Sequence, residues 1–313
     1  MGGGKTSFLE AVGQGLRKAN HQVLYMDIKE KRETGGEILS ELARALEVES
    51  GPRGTVLDAI RRRGPVSIMV DDCHNMFLRR VGGFGGLRAF LDIMIHTQND
   101  AFWVTTWADT SWAFLAQIFS LDTYFSHRVA LSPATVEELT SLIKDELRGI
   151  PYDVNPPDRN GNGGVDDDWV PFFRRLREES AGNVTAALKT WLASCSHEPA
   201  PSTHKGGGLG RASIEVKMPA APKDQDLTKL PAEEVFGLAA IVQNGPLSSG
   251  QLAAVTNVQE DTAQVILTNL TRYGLLRDTG AGGYTISVTA QQPVRSFLVS
   301  RRSVYVPGIK GGE

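Results

Sequence analysis

The sequence has little cysteine: two residues in 313, Cys73 and Cys195. Two thiols are too few for a disulfide framework, and neither has metal-ligand spacing around it, so both read as plain thiols of a reducing compartment. There is no apolar run near the ~20 residues that span a bilayer. The first residues are glycines and a lysine, not the basic head and apolar stretch of a secretory signal. A cytoplasmic location is therefore expected. Charge imbalance is also lacking: a net charge of −3 excludes a polycation built to coat nucleic acid or anionic lipid. No internal repeat is present. What remains is 41% hydrophobic and 22% charged, the balance of a globular protein with enough chain for two cores.

Patterning orders that chain. Residues 1–7 read MGGGKTS and run into an amphipathic helix at 8–18, with Phe8, Leu9, Val12 and Leu16 at helical spacing. Short apolar runs at 23–27 (VLYMD), 66–70 (VSIMV) and 101–106 (AFWVTT) read as buried parallel strands. Helices are predicted at 38–46, 56–63, 84–96 and 111–119, and a fourth strand at 124–131. This alternation predicts an α/β fold with a parallel sheet covered on both faces. After Ser132-Pro133 the pattern is helical, at 134–147, 169–179 and 183–194, around a polar Gly- and Asp-rich excursion at 151–168 that reads as a mobile loop. Residues 199–231 hold five prolines and a glycine triplet and read as linker. Helices at 232–243, 249–255 and 260–273, then a hairpin with a glycine-rich tip ending at 288, spell a winged helix-turn-helix. The expected domains are an α/β core at 1–132, a helical lid at 133–196, a linker at 197–228, a winged helix at 229–303 and a tail at 304–313.

The chemistry is concentrated at three strand and helix ends. The phosphate-loop pattern is G-x-x-x-x-G-K-[ST], and Gly4-Lys5-Thr6 supplies its second half. Gly2, Gly3, Gly4, Lys5, Thr6 and Ser7 are the candidate nucleotide-binding residues: glycines turn N–H groups toward phosphate oxygens, and the helix N-terminus adds its dipole. Lys5 would reach the β/γ-phosphates and the Thr6 hydroxyl would hold Mg²⁺. The first glycine of the pattern, and the strand that feeds such a loop, would precede Met1; the expectation is a reading frame that begins upstream, or a fragment. SIMVDD at 67–72 is an apolar strand ending in carboxylates, the Walker B arrangement. Asp71 would bind the metal, directly or through water, and Asp72 would polarise the attacking water. AFWVTT ends in Thr105 and Thr106 at the carboxyl edge of a sheet, where ligands gather; Thr106 is taken as catalytic with Lys5 and Asp72. His74 and Asn75 are close enough in sequence to form a switch pair, or they pack and cap. Gly82, Gly83, Gly85 and Gly86 flank Phe84 in what reads as an adaptable loop.

GGGKTS, SIMVDD, AFWVTT, LSPATVEEL and ESAGNVTAAL follow one another in an order that resembles the AAA+ ATPases. The resemblance covers nearly the whole chain and is nearest to initiator-type, transposition-helper and STAND-like branches, which often end in a winged helix. It implies a P-loop core whose first strand is missing here, a helical lid, ATP and Mg²⁺ as cofactors, and hydrolysis of the β–γ bond. Thr185 stands where the resemblance would put a sensor arginine; Lys189, one turn on, could substitute. Such proteins take an arginine finger from a neighbour, for which Arg128, Arg79 and Arg80 are candidates, and self-association follows. In the winged helix, Gln264, Thr268, Asn269 and Arg272 form the expected exposed face of the recognition helix. From 228 onward seven Lys and Arg stand against six Asp and Glu, with Arg295, Arg301 and Arg302 clustered near the end. That is weak support for DNA binding, and Glu260 and Asp261 at the helix start oppose it. Two functions stay open: an ATP-driven switch acting on DNA, and a signalling switch whose winged helix binds protein.

Overall fold

The computed structural model describes residues 3–148, 153–155, 157, 169–196, 213–219, 227–280 and 282–303. The contacts group the chain into two compact units: Gly4–Ala130, Thr228–Ser287 and Pro293–Glu313 in one, Met1–Gly3, Leu131–Leu227 and Val288–Gln292 in the other. Gly2 and the tail at 304–313 lie outside the described residues, as do 158–168 and 197–212.

The larger unit is built on a parallel sheet, β1 (Gln22–Asp27), β2 (Val66–Asp71) and β3 (Ala101–Thr105), in the order β1-β2-β3. Asp27 aligns with Asp71, and Val70 with Thr105, so the three strands end together. β2 is buried along its whole length. Val66, Ile68 and Val70 join the core made with α2 (Gly35–Ala45), α3 (Arg53–Arg63), α4 (Gly85–His96) and α5 (Asp109–Phe119). Alternation turns Met69 and Asp71 to the other face, where α1 (Lys5–Lys18) lies with Gly13 against the Met69 sulfur. Thr34 and Glu37 close a capping box on α2.

The expected fourth strand at 124–131 does not form. After a 3-10 turn at Leu121–Tyr124 the chain runs exposed, with Val129 69% accessible. A strand is held by its ladder partner, and among the described residues none pairs with this segment or with the outer edge of β3. The Gly-rich segment at 82–86 is not loose either. A Cβ on Gly86 would meet the Arg32 carbonyl oxygen at 2.0 Å, so this glycine serves close backbone packing.

The same unit contains α9 (Ala232–Asn244), α10 (Ser249–Thr256), α11 (Glu260–Arg272) and the hairpin β7 (Leu276–Asp278) with β8 (Tyr284–Ile286). Ser248 and Gln251 form a capping box on α10, and Asn257 ends it in the left-handed conformation. Leu247 bridges to Tyr284 beside the hairpin. Three helices followed by this hairpin make a winged helix-turn-helix. A further helix, α12 (Gln291–Ser300), follows it, with Val294 and Leu298 buried.

The second unit packs α6 (Val136–Leu147), α7 (Val170–Ser180) and α8 (Val184–Ser194) around Leu139, Ile143, Phe172, Phe173 and Leu176. Thr135 and Glu138 cap α6, and the Asn183 side chain caps α8. The loop and linker expectations need correction here. Asp153–Asn155 (β4) and Cys195–Ser196 (β5) flank Ser213–Val216 (β6) in a small sheet, and Val216 enters the helical core. Among the described residues no helix is long and apolar enough to cross a membrane.

Candidate functional site

The carboxyl ends of β1, β2 and β3 and the start of α1 meet at Asp71. That residue is 2% exposed, and donors meet both of its carboxylate oxygens. Thr6 Oγ1 donates to Oδ2 at 2.7 Å, and the Tyr25 hydroxyl donates to the same oxygen at 3.1 Å. Thr106 Oγ1 donates to Oδ1, which also receives the Asp72 amide at 3.0 Å. Thr106 is locked to the strand by its own amide on the Val70 carbonyl, 3.0 Å, and its hydroxyl accepts the Asp72 amide as well. Thr105, by contrast, accepts from the Trp107 indole at 2.8 Å and does not join the cluster.

Gly4 precedes α1 at φ +76, a left-handed conformation that glycine adopts without strain. Among the described residues no side chain caps this helix, and no acidic residue stands in its first turn, which leaves the leading N–H groups open to an anion. Gly3, Gly4, Thr6 and Ser7 are exposed and Lys5 is half-buried, all at this opening; Gly2 lies outside the described residues.

Asp72 takes the left-handed region at φ 53, uncommon for any residue but glycine and more tolerable for aspartate. Burial, with the Asp71 charge adding to it, pushes the Asp72 carboxyl above its ordinary range, while Lys5 pulls it back. Burial and the same Asp71 carboxylate raise Asp27 and Tyr25. A concentration of negative charge that raises its own members' proton affinity is a place where a cation is favoured. No cluster of three or more Asp, Glu, His or Cys stands in metal-ligand geometry among the described residues. Magnesium does not need one, since it is held by one or two carboxylates with substrate phosphates and water. The Thr6 hydroxyl donates to Asp71 and so turns its lone pairs outward, which fits that donor set.

No family model matches the chain, and no curated protein matches it. Among solved structures it is similar to the Orc1 protein of Aeropyrum pernix in complex with DNA, at 14% identity, covering 96% of this chain and 84% of that one, TM-score 0.43. Cdc6p of Pyrobaculum aerophilum aligns at 13% identity over 96% and 86%, TM-score 0.40. A Walker-type ATPase of Pyrococcus abyssi aligns at 13% over 91% and 88%, TM-score 0.34. Likenesses this loose concern the course of the chain, and the functional reading rests on the residues themselves.

Other sequence candidates are placed elsewhere. Asn75 is buried and donates to the Ile28 carbonyl at 2.7 Å, a packing role. The Arg79 guanidinium lies 3.8 Å from the Phe114 ring centroid, Arg80 pairs with Glu33 at 2.8 Å, and Arg128 sits over Trp112 at 5.1 Å. Each is thus engaged within its own chain. Asn269 is not on the exposed face of α11 but turns to Glu234, 3.0 Å away; Gln264, Thr268 and Arg272 are exposed. The expected basic cluster is divided, because Arg295 binds both oxygens of Asp109, at 2.9 and 3.2 Å. Thr185 and Lys189 lie on α8, in the other unit.

Tyr25 escaped the sequence reading. Its signal was faint: residues 23, 25 and 27 alternate to one face of β1, and only a parallel neighbour in this register places the hydroxyl beside Asp71.

Proposed function

We propose that the protein is an ATP-binding and ATP-hydrolysing molecular switch of the AAA+ kind. The observation that carries this reading is the Thr6–Asp71–Thr106 cluster, which joins the start of α1 to the ends of β2 and β3 beside an uncapped helix N-terminus. In this reading Gly2, Gly3, Gly4, Lys5, Thr6 and Ser7 bind the nucleotide phosphates, with backbone N–H groups and the Lys5 ammonium neutralising their charge. Thr6 and Asp71 hold Mg²⁺, which when bound would neutralise charge developing on the β- and γ-phosphate oxygens. Asp72 accepts the proton of the attacking water; its raised proton affinity suits a base. Thr106 fixes the Asp71 carboxylate and the Asp72 backbone amide in place. The start of α1, which carries Lys5 and no acidic residue in its first turn, and the acidic ends of the strands present an anion site and a cation site side by side, as a magnesium-nucleotide complex requires.

The winged helix gives this switch something to move. Gln264, Thr268 and Arg272 on the exposed face of α11 favour duplex DNA as partner. A second reading, a signalling switch whose winged helix binds protein, is favoured by exposed Glu260 and Asp261 in the first turn of the same helix, where phosphate would be repelled. Turnover of ATP by wild-type protein and Lys5→Ala, with and without duplex DNA, separates these. Turnover that needs Lys5 and rises with DNA supports the first reading, and Lys5-dependent turnover indifferent to DNA supports the second. Equal turnover in both proteins would overturn the site assignment.

A further inference from the structure

The far end of α9 meets the nucleotide-site end of the sheet. A helix leaves its last carbonyls without intrahelical donors, and here side chains of the α/β core receive them. Thr110 Oγ1 donates to the Val242 carbonyl at 3.2 Å, Ser111 Oγ to Gln243 at 3.3 Å, and Lys31 Nζ to Asn244. The fully buried Asn244 side chain accepts the Arg79 amide at 2.9 Å. Lys31 lies 5.6 Å from the Phe77 ring centroid and donates as well to the His74 carbonyl, 2.9 Å away. It therefore ties the end of α9 to the 3-10 turn Cys73–Asn75 that leaves Asp72.

The His74 ring occupies the same joint. On one side is Gly245, at φ +84, whose missing Cβ would stand 3.1 Å from His74 Cδ2. On the other, His74 Nδ1 is buried with no hydrogen-bond partner among the described residues, and the Asp72 carboxylate stands 3.6 Å from it. That distance is too long for a hydrogen bond. Buried polar atoms are rarely left unpaired, and here the missing acceptor stands just out of reach.

We propose that His74 is the positioning residue that couples the nucleotide site to the winged helix. The inference rests on the nucleotide reading above. In one state Asp72 faces the nucleotide and Nδ1 is without its bond; in the other Asp72 turns from its left-handed conformation and takes that bond. The ring then moves against Gly245, and the end of α9 moves with it because the Asn244 carbonyl is fastened through Lys31 to the His74 carbonyl. Coupling of this kind is reciprocal: whatever binds the winged helix alters nucleotide affinity by the same factor.

Backbone hydrogen exchange of residues 240–245 in the ADP and AMPPNP forms, with nucleotide saturation measured by calorimetry on the same samples, tests the link. In wild type the two forms should differ by about fivefold or more. His74→Phe keeps a ring and loses the nitrogen; it should still bind both nucleotides to saturation and lose the difference in exchange. His74→Gln restores a donor and should recover part of it. Equal exchange in the two saturated wild-type forms, or the full difference surviving in a folded His74→Phe, would overturn the coupling. Absence of nucleotide binding in wild type would show in calorimetry alone and would overturn the site assignment together with the link.

Discussion

A lysine ammonium taken out of water loses its hydration, and burial lowers the Lys31 pKa to about 7, against an ordinary 10.5; Glu33 and Asp72 resist the shift. Between those values the unfolded chain holds the Lys31 proton and the folded chain does not. Stability from this group therefore rises with pH across that window, by at most about 1.4 kcal/mol per unit, and is flat below it. The urea midpoint of wild type should climb more steeply from pH 7 to 9 than that of Lys31→Met; parallel slopes would contradict the assignment. Tyr25 offers a gentler test. Tyr25→Phe keeps the ring and removes one donor from Asp71, so a loss of about 1 kcal/mol in urea unfolding is expected, with nucleotide still bound.

At the level of the elements, α1 positions Lys5 and Thr6 only because it lies close on β2. Gly13 makes that approach possible, since a Cβ there would stand 2.9 Å from the Met69 sulfur. Gly13→Val should cost roughly 1–3 kcal/mol of stability through overpacking, and should weaken nucleotide binding as the helix start is pushed out. Unchanged urea unfolding and affinity would contradict this account of α1. Elements whose own residues carry a period were legible in the sequence: α1, the three strands of the sheet, and the helices of the winged helix. Elements that depend on a partner were not. The run at 124–131 has strand composition but no pairing strand among the described residues, while Ser213–Val216 is too short to signal itself among prolines and glycines. α12 was hidden by Pro293, which a first helical turn tolerates. The site divides in the same way. Thr6, Asp71 and Asp72 belong to motifs, and Thr106 to a strand end. Lys31 sits in a run of alternating charges, and its acceptor Asn244 is 213 residues away.

For the molecule as a whole, the winged helix and the α/β core form one compact unit, so what happens at Asp71 and Asp72 is within mechanical reach of α11. If duplex DNA is the partner, Arg272→Ala should weaken binding across all sequences and flatten its salt dependence by about one unit of slope. Unaltered affinity and slope would move the partner site off this face. The central claim is that this cluster hydrolyses a magnesium-bound nucleoside triphosphate with Asp72 as base. Its most direct test is the turnover of saturating ATP by Asp72→Asn against wild type, each in Mg²⁺ and with bound nucleotide measured in parallel. Retained binding and turnover lower by about 10²-fold or more are expected. Undiminished turnover in Asp72→Asn, at equal nucleotide occupancy, would contradict it.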